Sequence, residues 1–188
     1  YVIFVAEVAS TCNEALLMQY LLKKTTDRKR RAVLINYFLE QFRTTLYRQT
    51  MFAEFELAVH RLSESGETLT AQRLCEVYYE LNQRYYGPDV VVDREIEMEW
   101  ARIPHFYRRF YVYQYATGFS AAMALSKRIL EGGQEAVDGY LRFLSGGSST
   151  DPVSLLKIAG VDMSTPQPVE DALALFGRLI GEMEELLA

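Results

Sequence analysis

The chain has 188 residues, 49% of them hydrophobic and 24% charged, which excludes a disordered or low-complexity protein. A net charge of -5 argues against a partner held through phosphates, so no nucleic acid is expected. The apolar opening over residues 1–9 is interrupted by Glu7 and is too short to span a bilayer, so no membrane is expected either.

A prior of roughly 150 residues per domain makes this one domain, residues 1–188. Cys12 and Cys75 stand outside any Cys-x-x-Cys spacing, so no disulfide framework is indicated and a cytoplasmic setting is expected. The 13 Tyr and 10 Phe are many for this length. A buried tyrosine needs a partner for its hydroxyl, so many of them on helices suggest a wet groove.

In chain order the pattern is helical almost throughout. A first helix is expected over residues 2–22, followed by a polar cap at Thr25, Thr26 and Asp27. A long second helix is expected over 27–64, ending at Ser65-Gly66. A third follows the 68–70 cap and stops at Tyr86-Gly87-Pro88. Val90-Val91-Val92 reads as an extended loop, because a lone strand has nothing to pair with. A fourth helical stretch over 95–102 ends before Pro104, since the residue preceding proline disfavours helical angles.

A fifth helix is expected over 107–130, breaking at Gly132-Gly133, and a sixth over 134–144. The run Ser145-Gly146-Gly147-Ser148-Ser149 is the one low-complexity stretch. It could be a phosphate cradle or a hinge, and it lacks the Gly-Lys-Ser/Thr ending of a phosphate loop. A short helix to about 159 and a last one over 168–187 complete an all-α, multi-helix bundle. The basic cluster from Lys23 to Arg31 reads as a solvated helix junction.

Two constellations could carry chemistry. On the first helix Glu7, Ser10, Thr11 and Glu14 recur at i, i+3, i+4 and i+7 against an apolar background. The two carboxylates lie two turns apart, about 10.5 Å along the axis. A buried carboxylate is costly unless it is paired or holds a metal. The pattern alone fits either a metal site or a salt bridge to Arg or Lys on a neighbouring helix.

The second constellation is Ile103-Pro104-His105 followed by a tyrosine-rich run. On the expected helix over 107–130, Tyr107, Tyr111 and Tyr115 share one face at i, i+4 and i+8, and Gly118 continues that face. This pattern fits either a packed aromatic stripe or a row of donors. Glu54, Glu56 and His60 lack the Glu-x-x-His spacing of a di-iron site, and no chemistry is assigned to them. No nucleophile motif supports a Ser/His/Asp or Cys/His site.

The run Phe4-Val5-Ala6-Glu7-Val8-Ala9-Ser10-Thr11-Cys12-Asn13-Glu14, with residues 103–118, resembles the oligoendopeptidase F family of zinc oligopeptidases, which includes thimet oligopeptidase and neurolysin. The resemblance extends over nearly the whole chain. It implies a C-terminal, helical catalytic-domain half of a zinc metalloendopeptidase that hydrolyses short peptides through a zinc-activated water.

By motif match Glu7 takes the role of a zinc ligand, and Glu14 supports a zinc-binding histidine from behind. His105 matches a histidine that contacts substrate and stabilises the oxyanion. Tyr111 and Tyr115, with Tyr107 behind them, are the candidate tyrosine donors. The His-Glu-x-x-His motif of the family occurs nowhere in these 188 residues. Beginning in mid-pattern at Tyr1, the chain reads as a fragment whose missing N-terminal part is its first partner. The isolated fragment is expected to be inactive, to hold zinc weakly if at all, and to self-associate. The competing reading is a non-catalytic helical structural or interaction domain, in which Glu7 and Glu14 meet Arg or Lys.

Overall fold

Helix follows helix because caps and glycines punctuate an otherwise periodic apolar pattern. The computed structural model describes residues 2–188, and among these it contains no strand. The α-helices are α1 (Ile3–Lys24), α2 (Arg28–Gln41), α3 (Arg48–Glu64), α4 (Ala71–Tyr86), α5 (Tyr113–Glu131), α6 (Gly133–Gly146), α7 (Pro152–Ile158) and α8 (Gln167–Leu187). The Asp27 carboxylate accepts the Arg30 amide at 2.8 Å and starts α2. The Thr70 hydroxyl accepts the Arg73 amide at 3.1 Å and starts α4. Gly87, at φ +76°, ends α4 in a conformation that glycine adopts freely.

Two helices depart from expectation. The stretch over 27–64 is interrupted by a π-helical turn, Phe42–Tyr47, between α2 and α3. The Thr44 hydroxyl donates to the Glu40 carbonyl at 2.7 Å, competing with the main-chain ladder where the turn widens. The helix expected over 107–130 begins only at Tyr113. Ahead of it lie two 3₁₀ segments, Arg94–Arg102 and Pro104–Tyr107, and then an irregular stretch containing Phe110 at φ +52°. Around 89–93 the chain is not helical, as expected, and Tyr79 donates its hydroxyl to the Val92 carbonyl at 3.0 Å.

The chain divides into two compact units, residues 1–46 with 115–188, and residues 47–114. In the first unit α1, α2, α5, α6, α7 and α8 enclose a core that includes Val8, Cys12, Phe38, Phe42, Phe119 and Leu155. Phe42 meets Phe119 edge-on at 4.8 Å and Phe38 at 5.4 Å. Burying each such side chain contributes about 1.5–3 kcal/mol. Arg28 donates to the carbonyls of Leu186 and Glu185 at 2.8 and 3.0 Å, placing a cation on the negative end of α8. Arg31 pairs with Glu182, and Lys127 with Asp171 at 2.7 Å.

In the second unit α3, α4 and the 94–102 segment close around aromatic rings. Phe55 stands edge-on to Tyr78 at 5.2 Å and tilted on Phe106 at 5.2 Å, while Phe52 meets Phe106 at 5.6 Å. The buried Glu99 carboxylate accepts from Tyr78 and Arg48, each at 2.6 Å, and from Arg102.

Candidate active site

In the first unit Glu7 lies half-buried on α1, and burial pushes its carboxyl above the usual carboxylate range. Its backbone carbonyl accepts from the Ser10 hydroxyl at 3.1 Å. Among the described residues no ion pair or hydrogen bond engages the Glu7 carboxylate, and the same is true of Glu14. The salt bridges that a purely structural role requires are therefore not made within residues 2–188.

The stripe is not buried as the sequence pattern implied. Ser10, Asn13 and Glu14 are exposed, and so are the apolar Ile3 and Leu17 in register with them. Positions 3, 7, 10, 14 and 17 form one helix face of mixed polarity, while Val8, Cys12 and Ala15 bury the other. Cys12 is fully buried, and burial pushes its thiol up to about 11, although a hydrogen bond with Tyr140 pulls the other way.

Tyr115 lies half-buried in the first full turn of α5. One turn on, Gly118 packs on α1. A Cβ there would meet the Phe4 ring at 3.6 Å and Val8 at 3.7 Å. Its open side faces the turn of α1 that carries Glu7. The glycine serves contact between these two helices.

In the second unit the residues 103–112 fold back on themselves. Arg108 donates its amide to the His105 carbonyl at 2.9 Å, and Tyr111 donates to the Arg108 carbonyl at 3.1 Å. This return brings the His105 and Tyr111 rings into a stack, 5.8 Å between centroids and 28° apart. The Arg108 guanidinium lies over the Tyr111 ring at 5.8 Å. Tyr107 points away into solvent and is 87% exposed.

The expected face shared by Tyr107, Tyr111 and Tyr115 does not form. Tyr107 ends a 3₁₀ segment, Tyr111 lies in the return, and Tyr115 alone is on α5. A continuous helix would send the Phe110 amide to the Phe106 carbonyl, but the Glu56 carboxylate takes that amide instead.

Glu56 is the residue that sequence reasoning passed over. It is only 3% exposed, on the α3 face that also buries Met51, Phe52 and Phe55. A glutamate at a core position of an apolar helix pattern was the available signal. Its second oxygen, Oε2, is buried with no hydrogen-bond partner among the described residues.

Among the described residues no group of three or more His, Cys, Asp or Glu side chains gathers to hold a metal. Glu7 offers uncommitted carboxylate oxygens, which fits one ligand of a zinc shell and not the whole of it. A cavity of about 620 Å³ opens in the second unit, lined by Asn82, Tyr86, Val92, Glu99 and Arg102 among others, and none of the predicted site residues lines it. No helix is long and apolar enough to cross a membrane among the described residues.

Comparison with known proteins bears on what these groups serve. The profile of peptidase family M3 matches residues 1–175. Oligopeptidase PepF of Bacillus subtilis is 57% identical over 187 residues, which is 100% of this chain and 28% of that protein. The chromosomal oligoendopeptidase F of Lactococcus lactis subsp. cremoris is 45% identical over 187 residues, 100% of this chain and 31% of that protein. The crystal structure of oligoendopeptidase-F from Enterococcus faecium superposes with a TM-score of 0.95 at 49% identity, covering 100% of this chain and 36% of that one. The chain thus spans under a third of the length of these curated relatives. With most of its residues matched by that profile, the chain belongs to peptidase family M3.

Proposed function

We propose that these residues form part of a cytoplasmic, zinc-dependent endopeptidase acting on short peptides. The observation that carries this reading is Glu7: a half-buried carboxylate, raised by burial, that no cation among the described residues neutralises. Keeping such a group costs stability unless something else uses it. Family membership supplies the chemistry that would.

In this reading Glu7 is one zinc ligand, and Glu14, two turns along the same helix, accepts the outward ring hydrogen of a ligating histidine and fixes its tautomer. Bound zinc supplies Lewis acidity to the attacking water and the scissile carbonyl. His105 and Tyr111, already stacked, present an imidazole and a phenol as donors to the carbonyl oxygen as negative charge grows on it. Tyr115 contributes a further hydroxyl from α5. Such donors are each worth about 10²–10³ in kcat when aimed at the oxyanion. Tyr107, exposed and outside the stack, ranks last among the tyrosines.

The remaining ligands and the general base belong to a His-Glu-x-x-His segment that these residues lack. The isolated chain is therefore expected to show no turnover.

The test uses the parent protein that carries this chain. Glu7→Gln should lose zinc by elemental analysis and lose hydrolysis of a quenched fluorescent peptide together. His105→Ala should keep zinc and lower kcat about 10²-fold or more. Full zinc and full activity in Glu7→Gln would overturn the assignment.

A further inference from the structure

We infer that Glu56 is a positioning residue for the His105–Tyr111 pair, acting by capturing the Phe110 amide. Its catalytic consequence rests on the peptidase reading above; its structural content does not.

The sequence between Pro104 and Glu131 has helical periodicity, yet the helix is broken over 108–112. The break needs an acceptor for an amide withdrawn from the ladder, because an unpaired backbone N–H is costly. Glu56 supplies it from α3 through Oε1. One turn further on α3, His60 lays its ring against the Phe110 ring at 4.7 Å, while its Nδ1 lies 2.8 Å from the Glu56 carbonyl. The Glu56–His60 pair at i, i+4 therefore grips one residue twice, by its amide and by its ring.

Phe110 is held at φ +52°, the one residue other than glycine with positive φ among those described. That conformation is strained for a residue with a side chain and persists only where surroundings enforce it. Because Phe110 lies between His105 and Tyr111, its reversal folds Tyr111 back onto the imidazole. Were the Phe110 amide returned to Phe106, Tyr111 would rejoin a helix face with Tyr107 and Tyr115, and the stack would open. The buried carboxylate thus selects the broken helix over the continuous one.

The test is made in the parent protein with Glu56→Leu, which removes the acceptor, and Glu56→Gln, which keeps a carbonyl oxygen to receive the amide. Hydrogen exchange of the segment over 104–112 reads the clamp without reference to activity. Glu56→Leu should speed exchange at the Phe110 amide at least tenfold, and Glu56→Gln should restore most of the protection. In peptide hydrolysis Glu56→Leu should lower kcat roughly 10–100-fold, the scale of a misplacement of about 1 Å, with KM within about threefold and zinc unchanged. Glu56→Gln should recover most of that kcat.

Should Glu56→Leu fail to fold, Phe110→Gly provides the second arm. Glycine takes positive φ without strain, so this variant, which gives up the ring contact with His60 but keeps the amide for Glu56, should keep the broken helix and lose less kcat than Phe110→Pro. Phe110→Pro, with φ fixed near −65° and no amide hydrogen, should lose kcat as Glu56→Leu does. Unchanged exchange in Glu56→Leu, equal losses in Leu and Gln variants, or an active Phe110→Pro would each overturn the proposal. A parent protein without peptidase activity but with the predicted exchange pattern would sink the peptidase reading and leave the clamp standing.

Discussion

Glu99 offers the sharpest test of the energetics. It is 8% exposed and accepts from the Tyr78 hydroxyl and the Arg48 guanidinium, each at 2.6 Å, and from Arg102. Burial by itself would raise its carboxyl. The bonds from Tyr78 and Arg48, with the charges of Arg48 and Arg102, outweigh burial and hold it below the usual range. Glu99→Ala would strand the Tyr78 hydroxyl, which is fully buried, and leave Arg48 without its buried anion. An orphaned buried hydroxyl costs about 1–3 kcal/mol. Breaking a buried charge pair from one side costs about 3–5 kcal/mol in all, and partial exposure of Arg48 places the expectation near the lower end, about 3 kcal/mol. At typical urea slopes of about 1–3 kcal/mol per molar, the midpoint should fall by roughly 1–3 M. Trp100 is the sole tryptophan, adjacent to Glu99, so its fluorescence reports the second unit directly. Tyr78→Phe, which removes only the donor, should cost about 1 kcal/mol. Because the folded carboxyl is depressed, the stabilisation is full above the unfolded value of about 4.3 and is lost as pH falls through the folded one. The gap between wild type and Glu99→Ala should therefore narrow as pH falls below about 4. A cost under about 0.5 kcal/mol at neutral pH, or a gap independent of pH, would refute this account.

The other expectations concern the first unit. Burial raises the Glu7 carboxyl, so its charge burdens the folded metal-free chain above the ordinary carboxylate range. Glu7→Gln should stabilise that chain at pH 7 and lose this advantage in acid; destabilisation at pH 7 in a thermal melt would show an unseen partner. Gly118→Ala places its methyl in ordinary contact with Phe4 and Val8, and should gain up to about 1 kcal/mol from helix propensity. A lower melting temperature would mean that the approach of α1 and α5 is tighter than described. Cys12 and Cys75 are both buried, so a thiol reagent should label neither in the native chain and both in urea. The isolated chain should self-associate through exposed apolar positions that include Leu17, Tyr20, Val33 and Tyr37, and Leu17→Lys with Val33→Lys should weaken this in light scattering.

Much of the architecture was legible because side-chain period and end signals act locally. Asp27 and Thr70 cap the helices they were expected to cap, and Gly87 stops α4 where Gly-Pro predicted. The two misplaced helices both carry side-chain bonds to the main chain where they depart from the α pattern. At 42–47 and at 108–112 the apolar period continues, but the Thr44 hydroxyl donates to the Glu40 carbonyl in one case, and the Glu56 carboxylate takes the Phe110 amide in the other. Periodicity records which faces a segment buries. It does not record whether an amide will be claimed by a residue 54 positions away.

The same distinction separates the candidate residues. Glu7 stood out as a candidate because an acid among apolar neighbours breaks a local pattern. Glu56 breaks the α3 pattern in the same way, with Phe52 and Phe55 beside it, and was set aside because its spacing to His60 fits no metal site. The spacing has a different meaning in the fold. At i, i+4 the carboxylate and imidazole point the same way from α3, and what they meet is the backbone and ring of Phe110. A buried acid has three uses: it can pair with a cation, hold a metal, or accept amides that regular structure has released. Glu99 takes the first use, and Glu56 takes the third. Glu7 takes none of them within residues 2–188, which is why zinc content in Glu7→Gln is the measurement on which the peptidase assignment turns.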